Sequence, residues 1–501
     1  MTLAKIFGKL FFWTILFLII ADSVSFAGYL IPPAGQAAFF VVLLAVLAAS
    51  LVKLEYGLYL LLAEIFTGGF GQLFSLNLGG FSLSIRLGIF LVVLAVWLAK
   101  KITRRQKLLL PNTYYLIPNT YHLLPYLLLA SAIAIGLING LWHNEFSKVF
   151  FDANAWAWFI LIFVFWEAIK AEKVIENILQ ILTGATAYLA LKTVGILLLF
   201  SHNFTGLGGV FYKWLRDTGV GEITYISGTL FRVFLQSQLY CLIGFLIILT
   251  ILISQFRLKA WKNYLVPAIY LYLTGLAVII SQSRSYWVGG VAAIFGLIVL
   301  SWLYFGFRFK KTAWLLLALV VIFTSQLYLV QLISGNFSGN VIADRFKNLP
   351  GEAAGISRLN ELQPLSQAIF QHLIFGSGFG KELTYQSNDP RILKAYPGGI
   401  YTTAAFEWGY LDIMLKLGLA GLAIYLGLIG QIFYQGIKRL RNQRAESRKQ
   451  SNLQPTSYKL QAGLLLGLAA LCVTNIFSPY LNHPLGITYI ILVSVICNNY
   501  D

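Results

Sequence analysis

Polar residues arrive in short bursts along this chain, and the stretches between them are almost wholly apolar. The apolar runs fall near 8–28, 36–52, 55–70, 82–99, 123–141, 154–169, 176–200, 233–255, 264–282, 286–306, 312–333, 410–434, 460–477 and 484–498. A helix needs roughly 20 such residues to cross a hydrocarbon core about 30 Å thick. Within the runs apolar and polar residues do not alternate, so the shorter, alternating segments of a transmembrane β-barrel are not the pattern. The reading is all-α: a polytopic integral membrane protein with about 12–14 transmembrane helices. The third run is the weakest, because TGGFGQ (67–72) interrupts it.

Three hydrophilic segments stand out: about 201–232, the short SQSRSYW (281–287) and the long 334–409. The last is rich in Pro, Gly and Asn (SGNFSGN, NLPGEAAG, YPGGIY), which predicts a loop domain with one or two short helices. Near 356–372, ISRLNELQPLSQAIFQH places apolar residues at helical spacing. Loops of this length commonly carry function. The chain thus divides into a first helical bundle (1–333), a large loop (334–409) and C-terminal helices (410–501) with a basic loop at 436–459.

Composition agrees: 58% of the 501 residues are hydrophobic and 11% charged, against about 25% charged in soluble proteins. The net charge of +18 raises nucleic acid as a partner. The basic residues instead sit in clusters between apolar runs, at 100–107, 170–173, 257–262, 308–311 and 436–459. That is the positive-inside pattern, and it makes the lipid bilayer the partner. With all five clusters cytoplasmic the runs alternate without conflict. Both termini are then cytoplasmic, and the three hydrophilic segments lie outside. The opening MTLAKIFGKLFFWTILFLII has the order of a signal peptide, but so many runs follow that it reads as an uncleaved first helix. Cys241, Cys472 and Cys497 lie in apolar runs and the five histidines are scattered, so no metal or cofactor is expected.

The charges that remain need explaining. Arg284 lies between two apolar runs on the outer side, where arginine is disfavoured; Arg86 lies just inside the outer end of its run, and Arg232 starts another. Arg345 and Arg358 add guanidinium groups in the long loop. Guanidinium stays charged when partly buried and matches phosphate oxygens, so outward arginines point to an anionic headgroup, a phosphate or diphosphate. Snorkelling at a helix end is the bland alternative. Lys192 lies deep in a run, which predicts either a functional cavity or a structural pair with a carboxylate on another helix. In FEWGYLDIMLKLGLAG (406–421), Asp412 and Lys416 are four apart and can pair on one helix face. Glu407 has no such partner in its own helix. It sits among Phe406, Trp408 and Tyr410, either as a base with a raised pKa or as a helix N-terminal acid.

The run HLIFGSGFG (372–380), followed by EWGYLDIMLKLGLAGLAIYL (407–426), resembles the O-antigen ligase and O-antigen polymerase superfamily. The SRS of 283–285, the Arg345…Arg358 pair and SGTLFR (227–232) resemble further family segments, over roughly residues 180–440. The resemblance implies a multi-span, metal-independent glycosyltransferase of the bacterial inner membrane. Such an enzyme moves a glycan from undecaprenyl diphosphate to an acceptor hydroxyl on the periplasmic face, and a chain-length regulator is a further expected partner. On that reading Arg86, Arg232, Arg284, Arg345 and Arg358 hold the diphosphate and Glu407 is the base, with Lys192, Tyr410 and His372 as additional candidates. Family ligases usually carry His-Asn where Glu407 and Trp408 stand, which favours a polysaccharide polymerase over a ligase. YLNHPLGI (480–487) points the same way. Ligation to a lipid or protein acceptor, or transport of a lipid-linked sugar or small anion, are the alternatives.

Overall fold

The structure is a computed structural model that describes residues 3–78, 81–103, 116–255, 263–335, 353–449 and 456–498. Arg345 and parts of the basic clusters lie outside the described residues. After a single turn at Leu3–Ile6 the helices are α1 (Lys9–Leu30), α2 (Pro32–Val52), α3 (Leu54–Thr67), α4 (Ile85–Thr103), α5 (Leu116–His143), α6 (Phe146–Ala153), α7 (Ile162–Ala168, led in by a 3₁₀ stretch Trp156–Leu161), α8 (Glu172–Ser201) and α9 (Thr205–Asp217). They continue as α10 (Leu239–Gln255), α11 (Leu265–Ile280), α12 (Arg284–Tyr304), α13 (Phe309–Ser334), α14 (Ala353–Gln371), α15 (Pro390–Ala395), α16 (Gly409–Lys449), α17 (Thr456–Thr474) and α18 (Pro484–Asn498). The fourteen apolar runs fall mainly on helices, although 82–84 and 233–235 are strand and part of 154–169 is 3₁₀. Among the described residues eight helices are long and apolar enough to cross a membrane, or nine if the bent pair Phe146–Ala153 and Trp156–Ala168 is one span; three shorter apolar helices accompany them. The chain is therefore a mostly helical, multi-pass membrane protein.

The loop helix predicted near 356–372 is present as α14, and α15 is a second short one. Strands occur where none was expected, as three antiparallel hairpins among the described residues: β1 (Ser75–Leu78) with β2 (Phe81–Ser84), β3 (Gly221–Ser227) with β4 (Leu230–Leu235), and β5 (Leu383–Gln386) with β6 (Ile400–Thr403). SGTLFR is the second hairpin's turn, where Gly228 takes a φ of 56° that favours glycine. These hairpins lead into or link helices, and their cross-strand hydrogen bonds satisfy a backbone that has no helical partners there.

Contacts sort the connections into two ends. At one, Phe70 N–H donates to Gly219 O (3.0 Å), Tyr480 Oη to Gln236 O (3.0 Å), and Ser285 and Ser478 share a hydroxyl bond of 3.0 Å. The hairpins and the long loop gather there. At the other end Lys100 Nζ donates to Ser50 O (2.7 Å), Lys101 pairs with Glu167 (2.9 Å), Lys459 Nζ donates to Ser254 O (3.0 Å) and Arg439 to Cys497 O (2.7 Å). The basic residues thus cap the last carbonyls of helices at one end, where their charge also favours the helix dipole. Both described ends of the chain lie on this basic side. The interior is carried by α8 and α10, while α1, α2 and α13 turn large apolar side chains outward.

Candidate functional site

The site is built on a broken helix. Inside α16, Gly418 adopts φ 70° and ψ −177°, which interrupts the helix just below its first turns. The opened backbone groups are taken up by the segment HLIFGSGFG. Ser377 N–H donates to Leu415 O (2.7 Å) and Gly378 N–H to Lys416 O (3.2 Å); Leu419 and Ala420 N–H donate to Leu373 O (2.8 Å) and Ile374 O (3.1 Å). The same segment is stitched to α5: Asn139 donates to Gly376 O (2.8 Å), Asn144 to Phe379 O (2.8 Å), and Phe379 N–H to Gly136 O (3.1 Å). Gly376, Gly378 and Gly380 all have positive φ, and a Cβ on Gly378 would lie 2.3 Å from Gly140 N. The glycines are there because two backbones touch.

The break leaves Lys416 pointing into a cavity rather than along the helix. Its ammonium lies 2.5 Å from Asp152 Oδ1 and 2.6 Å from Asp412 Oδ1, at 3% side-chain exposure. Asp152, at the end of α6, also accepts the Gly380 N–H (2.9 Å), and Asp412 also accepts from Asn482. The expected Asp412–Lys416 pair is thus present, with a third member 264 residues away from Lys416 in the chain.

The cavity has a volume of about 690 Å³. Its walls come from Phe70 and the β1–β2 hairpin, Arg86, α6 (Lys148 to Asp152), Trp158, the 401–406 segment of the long loop, and the 479–484 turn. Arg86, 3% exposed, grips Glu64 with two parallel hydrogen bonds of 2.8 and 2.9 Å, while its Nη1 has no hydrogen-bond partner. Lys148 pairs with Glu382 (2.9 Å). His483 packs edge-on to Phe70 with centroids 5.6 Å apart. Its Nδ1 accepts the Leu485 N–H (3.2 Å), so the ring proton is on Nε2. Burial, with Arg86 adding to it, pushes the imidazole down to about 3, so the ring is a neutral donor.

The predicted residues do not all line this cavity; of them Arg86 does. Four more, Arg232, Arg284, Arg358 and Glu407, lie around the turn between α17 and α18, residues 475–483. On one flank Arg232 donates to Ser281 O (2.9 Å), and Arg284, half-buried, starts α12 three residues on, beside the Ser285–Ser478 bond. On the other flank Arg358 pairs with Glu407, and Trp408 donates to Arg358 O (3.0 Å) while its ring packs at a tilt against Phe477, centroids 5.7 Å apart. Glu361, 2% exposed in α14, accepts the Glu407 N–H (3.2 Å). Burial first, then the nearby Asp412, pushes its carboxyl up to about 7, with Arg358 opposing.

Tyr410 donates to Cys472 O (2.8 Å), away from the cavity. His372 lines a separate groove of about 560 Å³ with Asn139 and Trp142. Lys192 pairs with Asp22 of α1, which also accepts from Tyr188, and its ammonium sits 4.9 Å from the Trp214 ring centroid. Lys192 thus has a carboxylate partner on another helix, as one of its two sequence readings expected.

Sequence reasoning missed Asp152, Lys148 and Asn482. A signal existed for Asp152: it is the one carboxylate in FSKVFFDANAW, an otherwise aromatic stretch. For Asn482 the YLNHPLGI motif was the cue. No protein-family model and no curated protein matches the chain.

Proposed function

We propose that this protein is a membrane glycosyltransferase that polymerises oligosaccharide units carried on a polyprenyl diphosphate, acting at the end of the bundle where the long loop lies. The observation that carries the reading is the grouping around the 475–483 turn. Two guanidinium groups, Arg232 and Arg284, flank the α11–α12 turn on one side, an exposed carboxylate lies on the other, and a cavity of about 690 Å³ is lined by Pro479, Asn482 and His483 of the same 475–483 segment. The basic caps at the opposite end support a cytoplasmic position for that end by the positive-inside rule, and on this reading the site faces outward from a bacterial inner membrane.

In the reaction an acceptor hydroxyl oxygen bonds to the donor's anomeric carbon as the bond from that carbon to the diphosphate oxygen breaks. The electron pair leaves with the lipid diphosphate, whose growing charge Arg232 and Arg284 stabilise. Glu407 takes the hydroxyl proton. Asp412 is the competing base, but at 1% side-chain exposure it is held by Lys416 and Asn482, whereas Glu407 is 51% exposed and follows directly on the cavity-lining Phe406.

The test is complementation of a strain lacking this protein. Glu407→Gln and Arg284→Ala should each abolish long polymer while the protein accumulates at normal levels. An unchanged chain-length distribution in both variants overturns the reading. Single additions to a lipid or protein acceptor, with no chain growth, would instead mark a ligase.

A further inference from the structure

The charges lining the cavity cancel. Arg86 is matched by Glu64 through two hydrogen bonds, Lys148 by Glu382 at 2.9 Å, and Lys416 by both Asp152 and Asp412 at 2.5 and 2.6 Å. Three cations face four carboxylates, and His483 is neutral. A diphosphate brought here would meet no net positive charge, and it would have to displace carboxylates already bound to each cation. The remaining walls have another character. Phe70, Phe150 and Phe151 are partly to largely exposed aromatics, and Thr402, Thr403 and Asn482 supply neutral donors and acceptors. The volume falls in the roughly 300–1,000 Å³ range of small-ligand sites.

We infer that this cavity is a subsite for uncharged sugar rings of the glycan, stacked on the Phe70–Phe150–Phe151 aromatics and hydrogen-bonded by Asn482 and the Thr402 and Thr403 hydroxyls, and that it excludes both the diphosphate and acidic sugars. The inference rests on the polymerase reading for its ligand class and extends it by assigning diphosphate and glycan to different flanks of the 475–483 turn.

Saturation-transfer NMR on the purified full-length protein in nanodiscs tests it. The probes are a panel of neutral trisaccharides (maltotriose, mannotriose, galactotriose and chitotriose), a glucuronate-containing trisaccharide and inorganic pyrophosphate. At least one neutral trisaccharide should receive saturation, with the signal reduced at least fivefold in Phe151→Ala and Asn482→Ala. Pyrophosphate should not displace it, and the glucuronate probe should bind at least fivefold more weakly. Glu382→Gln, at a partly exposed position, frees the Lys148 charge and should raise glucuronate binding severalfold, a gain that misfolding cannot mimic. No transfer to any neutral probe, or displacement by pyrophosphate, overturns the inference. Loss of polymer growth on lipid-linked donors bears on the polymerase reading alone, because sugar binding is read out without turnover.

Discussion

Lys416 Nζ lies 2.5 Å from Asp152 Oδ1, joining the helix broken at Gly418 to the short helix α6 across 264 residues of chain. With Asp412 at 2.6 Å the three form a buried cluster of net charge −1. Removing the lysine leaves two carboxylates facing each other without a counter-charge. Breaking a buried pair from one side costs about 3–5 kcal/mol. Lys416→Met should therefore lower the melting temperature more than Asp152→Asn, which leaves a balanced Lys416–Asp412 pair. Thermal unfolding of the detergent-purified variants gives the order, and equal losses would refute the account of the cluster.

The glycine run beside that cluster makes a sharper claim. Gly378→Ala combines a φ of 81° with a Cβ 2.3 Å from Gly140 N, so the two backbones must separate. Gly427, in the same helix as Lys416, has nothing within 4 Å of a built Cβ. Gly378→Ala should prevent accumulation of folded protein, and Gly427→Ala should be silent. Fluorescence-detected size-exclusion profiles of the two variants decide the matter.

The helices were legible in the sequence because one term dominates: burying polar backbone in hydrocarbon is so costly that an apolar run of membrane length has to be helical. Helix placement followed from 8–28 to 484–498 for that reason. The hairpins were not legible. Phe81–Ser84 and Leu230–Leu235 are apolar enough to read as the first turns of the helices they precede. Nor could spacing alone show Gly418 as a break, since glycine is common in membrane helices. Arg86 was read as one of the diphosphate-binding arginines; in the structure it grips Glu64, which stands 22 positions away on another helix and which spacing alone could not pair with it. The Lys416 cluster was half readable. Asp412 is at i,i+4, whereas Asp152 is brought in only by the tertiary stitching of residues 372–380 to α5.

Glu361 gives a pH prediction. Its folded pKa, about 7, lies above the unfolded carboxyl value near 4.3. Between those values the folded state holds a proton that the unfolded state has lost, so stability falls as pH rises through this window and levels off above about 7. Glu361→Gln keeps a side-chain oxygen for the Glu407 N–H and has no proton to lose. Melting temperatures from pH 5 to 8 should decline less steeply in Glu361→Gln than in the wild type. The groups facing Glu361 are Asp412, Arg358 and Tyr385. Parallel slopes in the two proteins would mean that the pH dependence arises elsewhere.

Lys192 and Asp22 separate enzyme from transporter. Their side chains are 8% and 16% exposed, and Tyr188 and Trp214 complete the enclosure. A pair serving only to join α1 to α8 can be replaced by neutral groups if both charges go together, because the desolvation cost disappears along with the attraction. Lys192→Met alone strands Asp22 and should lower protein level and melting temperature, with a stability loss of about 3–5 kcal/mol. Lys192→Met combined with Asp22→Asn should recover most of that loss and restore the polymer length distribution. A carrier that moves protons or ions through this pair behaves differently: its stability would recover in the double variant, but activity would not. A stable, correctly inserted double variant that makes no polymer would thus shift the assignment from glycan polymerisation to transport.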